Sequence, residues 1–110
     1  MDRQEADERH VRLLRNLAAA RDLLNSVGED HWSGWMTTVH AELGSLDAHG
    51  LTRLLQAYGG MGSLNDLVIH PVNGHSIPDA DVDRVNHSLA ALRAALHEDA
   101  TALRNDLGRT

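Results

Sequence analysis

The sequence contains no cysteine, which excludes a disulfide framework, a cysteine-ligated zinc or iron–sulfur site and thiol catalysis. Lysine is absent too, so all ten residues of the Lys and Arg class are arginine, a bias that fits a GC-rich genome. There is no phenylalanine, and the only aromatics are one tyrosine and two tryptophans. Apolar runs are short. The longest, such as Leu17–Ala20, span four residues, far below a membrane span or a signal-peptide core, so the cytoplasm is the expected compartment and no membrane partner is expected. Positive charge is also in deficit: sixteen acids against ten arginines give a net charge of −6, the wrong sign for a generic nucleic-acid binder.

What is present argues for folding. The chain has 110 residues, 42% of them hydrophobic and 24% charged, with only two prolines, a composition outside the disordered class. That length predicts one helical domain over residues 1–110. Surface scaling predicts about 6,000 Å² exposed and roughly 65% buried on folding, enough for an independent if marginal core. Eight histidines can change the charge greatly between about pH 7 and 5.

Helical periodicity runs from Asp2 to about Ser26: His10, Leu13, Leu17, Ala20, Leu24 and Val27 recur at alternating three- and four-residue spacing, widened by Leu14. Arg9, Arg12, Arg15 and Asp22 fall on the opposite face. Asp2 is placed to begin this helix and Gly28 to end it. A second helix is predicted from about Glu29 to Leu43, burying Trp32, Trp35, Met36, Val39 and Leu43, with Glu29 and Asp30 at its positive end. Asp47 is the expected N-cap of a third, where Leu51, Leu54, Leu55 and Tyr58 follow i, i+3, i+4, i+7 before Gly59-Gly60. The longest candidate, about Asp79 to Leu107, keeps Val82, Val85, Leu89, Leu92, Leu96, Ala100, Leu103 and Leu107 on one stripe and calls for a long antiparallel partner, the first helix. The fold expected is therefore all-α, a small bundle of about four helices.

Residues 59–78 leave the helical period. Leu67–Ile69 is a short apolar run and Asn73-Gly74 a strong turn signal, so the segment reads as irregular structure or as a tiny hairpin pairing the Val68 region with His75–Ile77. Pro71 and the short arms weigh against the ladder. Ser63 is an alternative cap for a single helical turn, with Asp66 three residues on.

Several constellations bear on chemistry. Gly59, Gly60 and Gly62 allow close backbone approach, but no GxxxxGK[ST] spacing or strong βαβ unit surrounds them, so they form neither a P-loop nor a dinucleotide fingerprint. His70, His75, Asp79, Asp81 and Asp83 are metal-ligand types at a spacing that matches no closed motif. Asp79-x-Asp81-x-Asp83 begins like a calcium loop, yet Arg84 and Ala90 stand where glycine and a bidentate acid are required. These aspartates read instead as complements to a helix dipole. No metal site, no cofactor and no catalytic residue is assigned, and an enzyme is the less favoured class. Residues 28–75 hold five acids (Glu29, Asp30, Glu42, Asp47, Asp66) against Arg53 alone, together with five of the eight histidines, an acidic centre suited to attracting a basic partner.

The run Tyr58-Gly59-Gly60-Met61-Gly62-Ser63-Leu64-Asn65-Asp66-Leu67-Val68-Ile69, followed by Asn73-Gly74-His75 and preceded by Gly28-Glu29-Asp30-His31-Trp32-x-x-Trp35, resembles a family of small, uncharacterised bacterial proteins classed as a domain of unknown function, over about residues 10–100. The resemblance implies no catalytic residue. Small acidic bacterial proteins of this type are similar to immunity or antitoxin-like partners. The leading expectation is a non-enzymatic interaction protein that occludes a basic toxin. Its contact residues would be Glu29, Asp30, Asp47, Tyr58, Gly59, Gly60, Met61, Gly62, Ser63, Asn65, Asp66, Asn73, Gly74 and His75. A small-molecule or metal-binding domain built on residues 59–83 is the alternative, and a helical self-association module, such as a homodimer, the third.

Overall fold

The computed structural model describes residues 1–59 and 62–108. It is all-α: α1 (Arg3–Ser26), α2 (Asp30–Gly44), α3 (His49–Gln56) and α4 (Val82–Leu107), with single 3-10 turns at Leu64–Asp66, Pro71–Asn73 and Asp79–Asp81. No strand occurs among the described residues. The apolar stripes read from the sequence meet in one cluster drawn from every helix, including Leu13, Leu17, Leu24, Met36, Val39, Leu54, Leu89 and Leu96, to which the nonhelical segment adds Leu64 and Ile69. Trp32 and Trp35 are half-buried against this cluster rather than inside it, and Leu92, expected on the core stripe, is likewise only partly buried.

α1 packs along both α2 and α4. Its antiparallel pairing with α4 is visible in polar contacts near one end. The N-terminal amine lies 3.8 Å from Asp106, and Arg9 Nη1 donates to Asp99 Oδ1 at 2.8 Å. Arg12 completes a fork on the same carboxylate, with Nε on Oδ2 at 2.8 Å and Nη2 on Oδ1 at 2.7 Å. Arg9 and Arg12 thus do not point away from the bundle as their helical positions predict. Their long stems carry the guanidinium groups back to a carboxylate that is 2% exposed.

The helix ends explain the corners. Asp2 caps α1 by accepting from Glu5 N at 2.8 Å. At the other end Gly28 N bonds Asn25 O at 3.2 Å and Glu29 N bonds Leu24 O at 2.9 Å, the paired closure of a Schellman motif, with Gly28 at the left-handed position (φ +75°). Leu46 N to Leu43 O (3.1 Å) and Asp47 N to Glu42 O (2.8 Å) close α2 by the same motif. There, however, the left-handed residue is Leu46, at φ +59°. Asp47 does not directly precede α3 as predicted. It accepts from His49 N at 3.0 Å, while Ala48 occupies the cap position of a helix that begins at His49. Gly50 lets α3 close on α2: a Cβ there would stand 2.6 Å from Leu43 Cγ.

The hairpin over 67–77 does not form. Its turn is a 3-10 turn closed by Gly74 at φ +88°, and its polar backbone groups are served by turn bonds, by Val27 O and by side chains instead of by a second strand. Ser63 does not cap through its hydroxyl; Asp66 Oδ2 accepts from Gly62 N at 2.9 Å.

Candidate functional site

Two side chains of α4 pin the nonhelical segment to the bundle. Asn86 Oδ1 accepts from Ile69 N at 2.8 Å, and Asn86 Nδ2 donates to Ile69 O at 2.8 Å and to Val82 O at 2.9 Å, so the amide pairs with one residue's backbone as a strand would. Two turns further on, Arg93 Nη1 donates to Leu64 O (2.9 Å) and Leu67 O (3.1 Å). A third pin comes from the α1–α2 corner, where Ser76 N donates to Val27 O at 2.9 Å. Neither Asn86 nor Arg93 was singled out from the sequence. The available signal was a polar pair seven residues apart, two turns along one helix face.

With the segment held this way, Glu29, Trp32, Gly62, Ser63, Asp66, Leu67, Val68, Asn73 and His75 line one cleft of about 220 Å³. Its back wall is a Glu–His pair. His75, 8% exposed, sets Nε2 3.1 Å from Glu29 Oε1, and Glu29 Oε2 accepts from Trp32 N at 3.2 Å, capping α2. His75 Nδ1 meets His70 N at 3.1 Å and His70 O at 3.2 Å. In the tautomer whose Nδ1 accepts from the His70 N–H, Nε2 carries the proton and donates to Glu29. Both ring nitrogens are therefore committed to partners within the fold. His70 is used similarly: its Nδ1 accepts from Val72 N at 3.0 Å. Asn73 Nδ2 donates to Val68 O at 3.0 Å.

Of the residues proposed from sequence, Glu29, Gly62, Ser63, Asp66, Asn73 and His75 come together here. Asp30 is exposed on the first turn of α2, and Gly74 is exposed on the turn beside Asn73. Others lie elsewhere. Tyr58 is half-buried and donates to Arg93 O at 2.7 Å; burial pushes its phenol far above the usual value, only partly offset by the Arg93 charge. Asn65 donates to Tyr58 O at 3.2 Å, and both line a broad depression along α4 rather than the cleft. Gly59 is exposed just beyond α3. Gly60 and Met61 lie outside the described residues. Asp47 sits at the α2–α3 corner, against the N-terminal part of α1 and the last turns of α4, at the other end of the bundle from Glu29.

Asp79 and Asp81 form the 3-10 turn ahead of α4 and Asp83 its first turn, with Arg84 Nη2 3.6 Å from Asp81. Among the described residues no three His, Asp or Glu side chains are grouped to hold a metal ion, and no helix is long and apolar enough to cross a membrane.

These features define a small all-α bundle with one end closed by a pinned loop over an acidic cleft. Residues 25–78 match the family model of a domain of unknown function, DUF6966, so the resemblance to such a family is shown over that stretch. The matched segment holds every residue that lines the cleft. No curated protein and no solved structure matches the chain.

Proposed function

We propose that this chain is a non-enzymatic bacterial interaction protein, an immunity- or antitoxin-like partner that seats a basic side chain of a toxin in the cleft at its loop end. The observation that carries the reading is the convergence of Glu29, Ser63, Asp66 and Asn73 beside Trp32 in one recess. Asp66, exposed and with one oxygen not used by Gly62 N, attracts an arginine or lysine head, the Glu29 charge behind it adds to the field, the indole face packs against the stem, and the amide and hydroxyl fix its orientation. The committed ring nitrogens of His75 favour binding over acid–base chemistry. Exposed Val68, which lines the cleft, gives apolar contact there, where burial slows dissociation.

The test is association kinetics with a candidate toxin recovered on this chain as bait, together with rescue of growth on co-expression. Asp30→Lys and Asp66→Lys should lower the association rate at low salt, and Asp47→Lys, at the far end, should leave it nearly unchanged. Equal rates for all three variants and the native chain would sink the steering argument. A second reading, a small polar ligand held by the same cleft, is favoured by the Ser63 and Asn73 side chains that line it. A ligand-induced thermal shift lost in Asn73→Ala would support it.

A further inference from the structure

The far end of the bundle has a surface of different character. There the N-terminal part of α1, the α2–α3 corner and the last turns of α4 enclose a groove of about 330 Å³, room for two or three large aliphatic side chains. Leu43, Leu51 and Leu103 line its apolar walls, Leu46 stands at its lip, and Asp7, Asp47 and Asp106 are among its remaining lining residues.

Leu46 is the anomaly. It holds the left-handed position of the Schellman motif that ends α2, at φ +59°, and is the one non-glycine residue with positive φ among the described residues. Glycine is the residue suited to that position, because a Cβ costs energy there. The leucine recovers little of that cost by burial, being 81% exposed. A strained backbone that displays a large apolar side chain beside an apolar groove is what a docking anchor requires.

Charge decides the occupant. His10 is the one basic side chain lining the groove among the described residues, and the Asp7 side chain makes no hydrogen bond or ion pair with any of them. Asp106 is met by the chain's own N-terminal amine at 3.8 Å, so a second copy of this chain would set Asp7 and Asp47 against their counterparts with no arginine of the groove to compensate them. We infer that the groove receives a cationic amphipathic helix of a partner protein, whose aliphatic residues at i, i+3 or i+4 and i+7 enter between Leu46 and the leucine walls while flanking lysines or arginines meet the aspartates. This surface is separate from the loop-end cleft and does not rest on it.

The probe is a synthetic amphipathic helix with leucines at that spacing and lysines beside them, titrated into the isotope-labelled full chain, with a glutamate-for-lysine version as control. Saturable shifts at Leu43, Leu46, Leu51 and Leu103, absent with the glutamate peptide, are expected. Leu46→Gly should raise the melting temperature and weaken binding at least tenfold, opposite signs that a purely structural role would not produce. Leu46→Met should retain binding, and Asp7→Lys should flatten its salt dependence. The inference is overturned by no saturable binding, by shifts confined to the loop-end cleft, or by Leu46→Gly binding as the native chain does. Concentration-dependent dimerisation in sedimentation that Leu46→Gly abolishes would also overturn it, in favour of a second copy.

Discussion

Asp99 shows how one residue can be hidden from a sequence reading. It lies in the middle of α4 between Leu96, Ala100 and Leu103, where the stripe predicts apolar contact, and it is buried because two arginines of α1 come to it. Periodicity places the Cα of Arg9 and Arg12 on a solvated face, but it says nothing about where a long side chain ends. Burial pushes the Asp99 carboxyl up, and the hydrogen bonds and charges of Arg12 and Arg9 more than reverse this, leaving it below the usual carboxylate value. The stability it contributes is therefore complete above about pH 4 and is lost as pH falls through the lowered folded-state value. Asp99→Asn should cost about 1–3 kcal/mol at neutral pH. In urea titrations at successively lower pH the gap from the native chain should narrow below about pH 4. A gap unchanged down to pH 2 would mean that the carboxylate charge is not what holds the helices there. Tyr58→Phe removes a single hydrogen bond to Arg93 O and should cost about 1 kcal/mol.

At the scale of elements, helices were legible and their corners partly so. The 3.6-residue period found all four α-helices, and Gly28 marked the first corner because only its left-handed geometry was needed there. Asp47 was misplaced by one residue because the Schellman closure through Leu46 consumes the turn before α3 starts, and nothing about a leucine announces a positive φ. Residues 62–81 defeated periodicity for another reason: their backbone closes short 3-10 turns on itself, and at Leu64, Leu67 and Ile69 it is met by Arg93 and Asn86, side chains well separated in sequence, rather than by a neighbouring strand. Asn86→Ala should then raise amide exchange at Ile69 and lower stability by about 1–3 kcal/mol, while leaving helix content nearly unchanged by circular dichroism. On α4 itself, Leu89→Ala should cost about 2–5 kcal/mol. Leu92→Ala should cost clearly less, because Leu92 is only partly buried; equal costs would mean that the two faces are packed alike.

The molecule as a whole is longer than a sphere of its mass. Its extents are 47 × 24 × 20 Å and its radius of gyration is 14.4 Å, against about 13 Å for a compact chain of this length. The exposed area of 6414 Å² correspondingly exceeds the scaling value of about 6,000 Å². Two helices of 24 and 26 residues set the length, and the shorter α2 and α3 leave the ends to be finished differently, one by the pinned loop and the other by the open corner at Leu46. This division was only half legible. Composition located an acidic middle of the chain, and the fold then sent Glu29 and Asp66 to one end and Asp47 to the other, because α2 carries the chain along the bundle between them.

The fork on Asp99 also governs timing. It joins residues separated by 87 and 90 positions, so it closes one of the longest loops in the chain, and loop-closure entropy delays such contacts until shorter-range packing is in place. An interaction absent from the folding transition state acts on escape from the native state rather than on arrival. Asp99→Asn should accordingly leave the refolding rate nearly untouched and accelerate unfolding, making this clamp a determinant of how long a folded molecule lasts between openings.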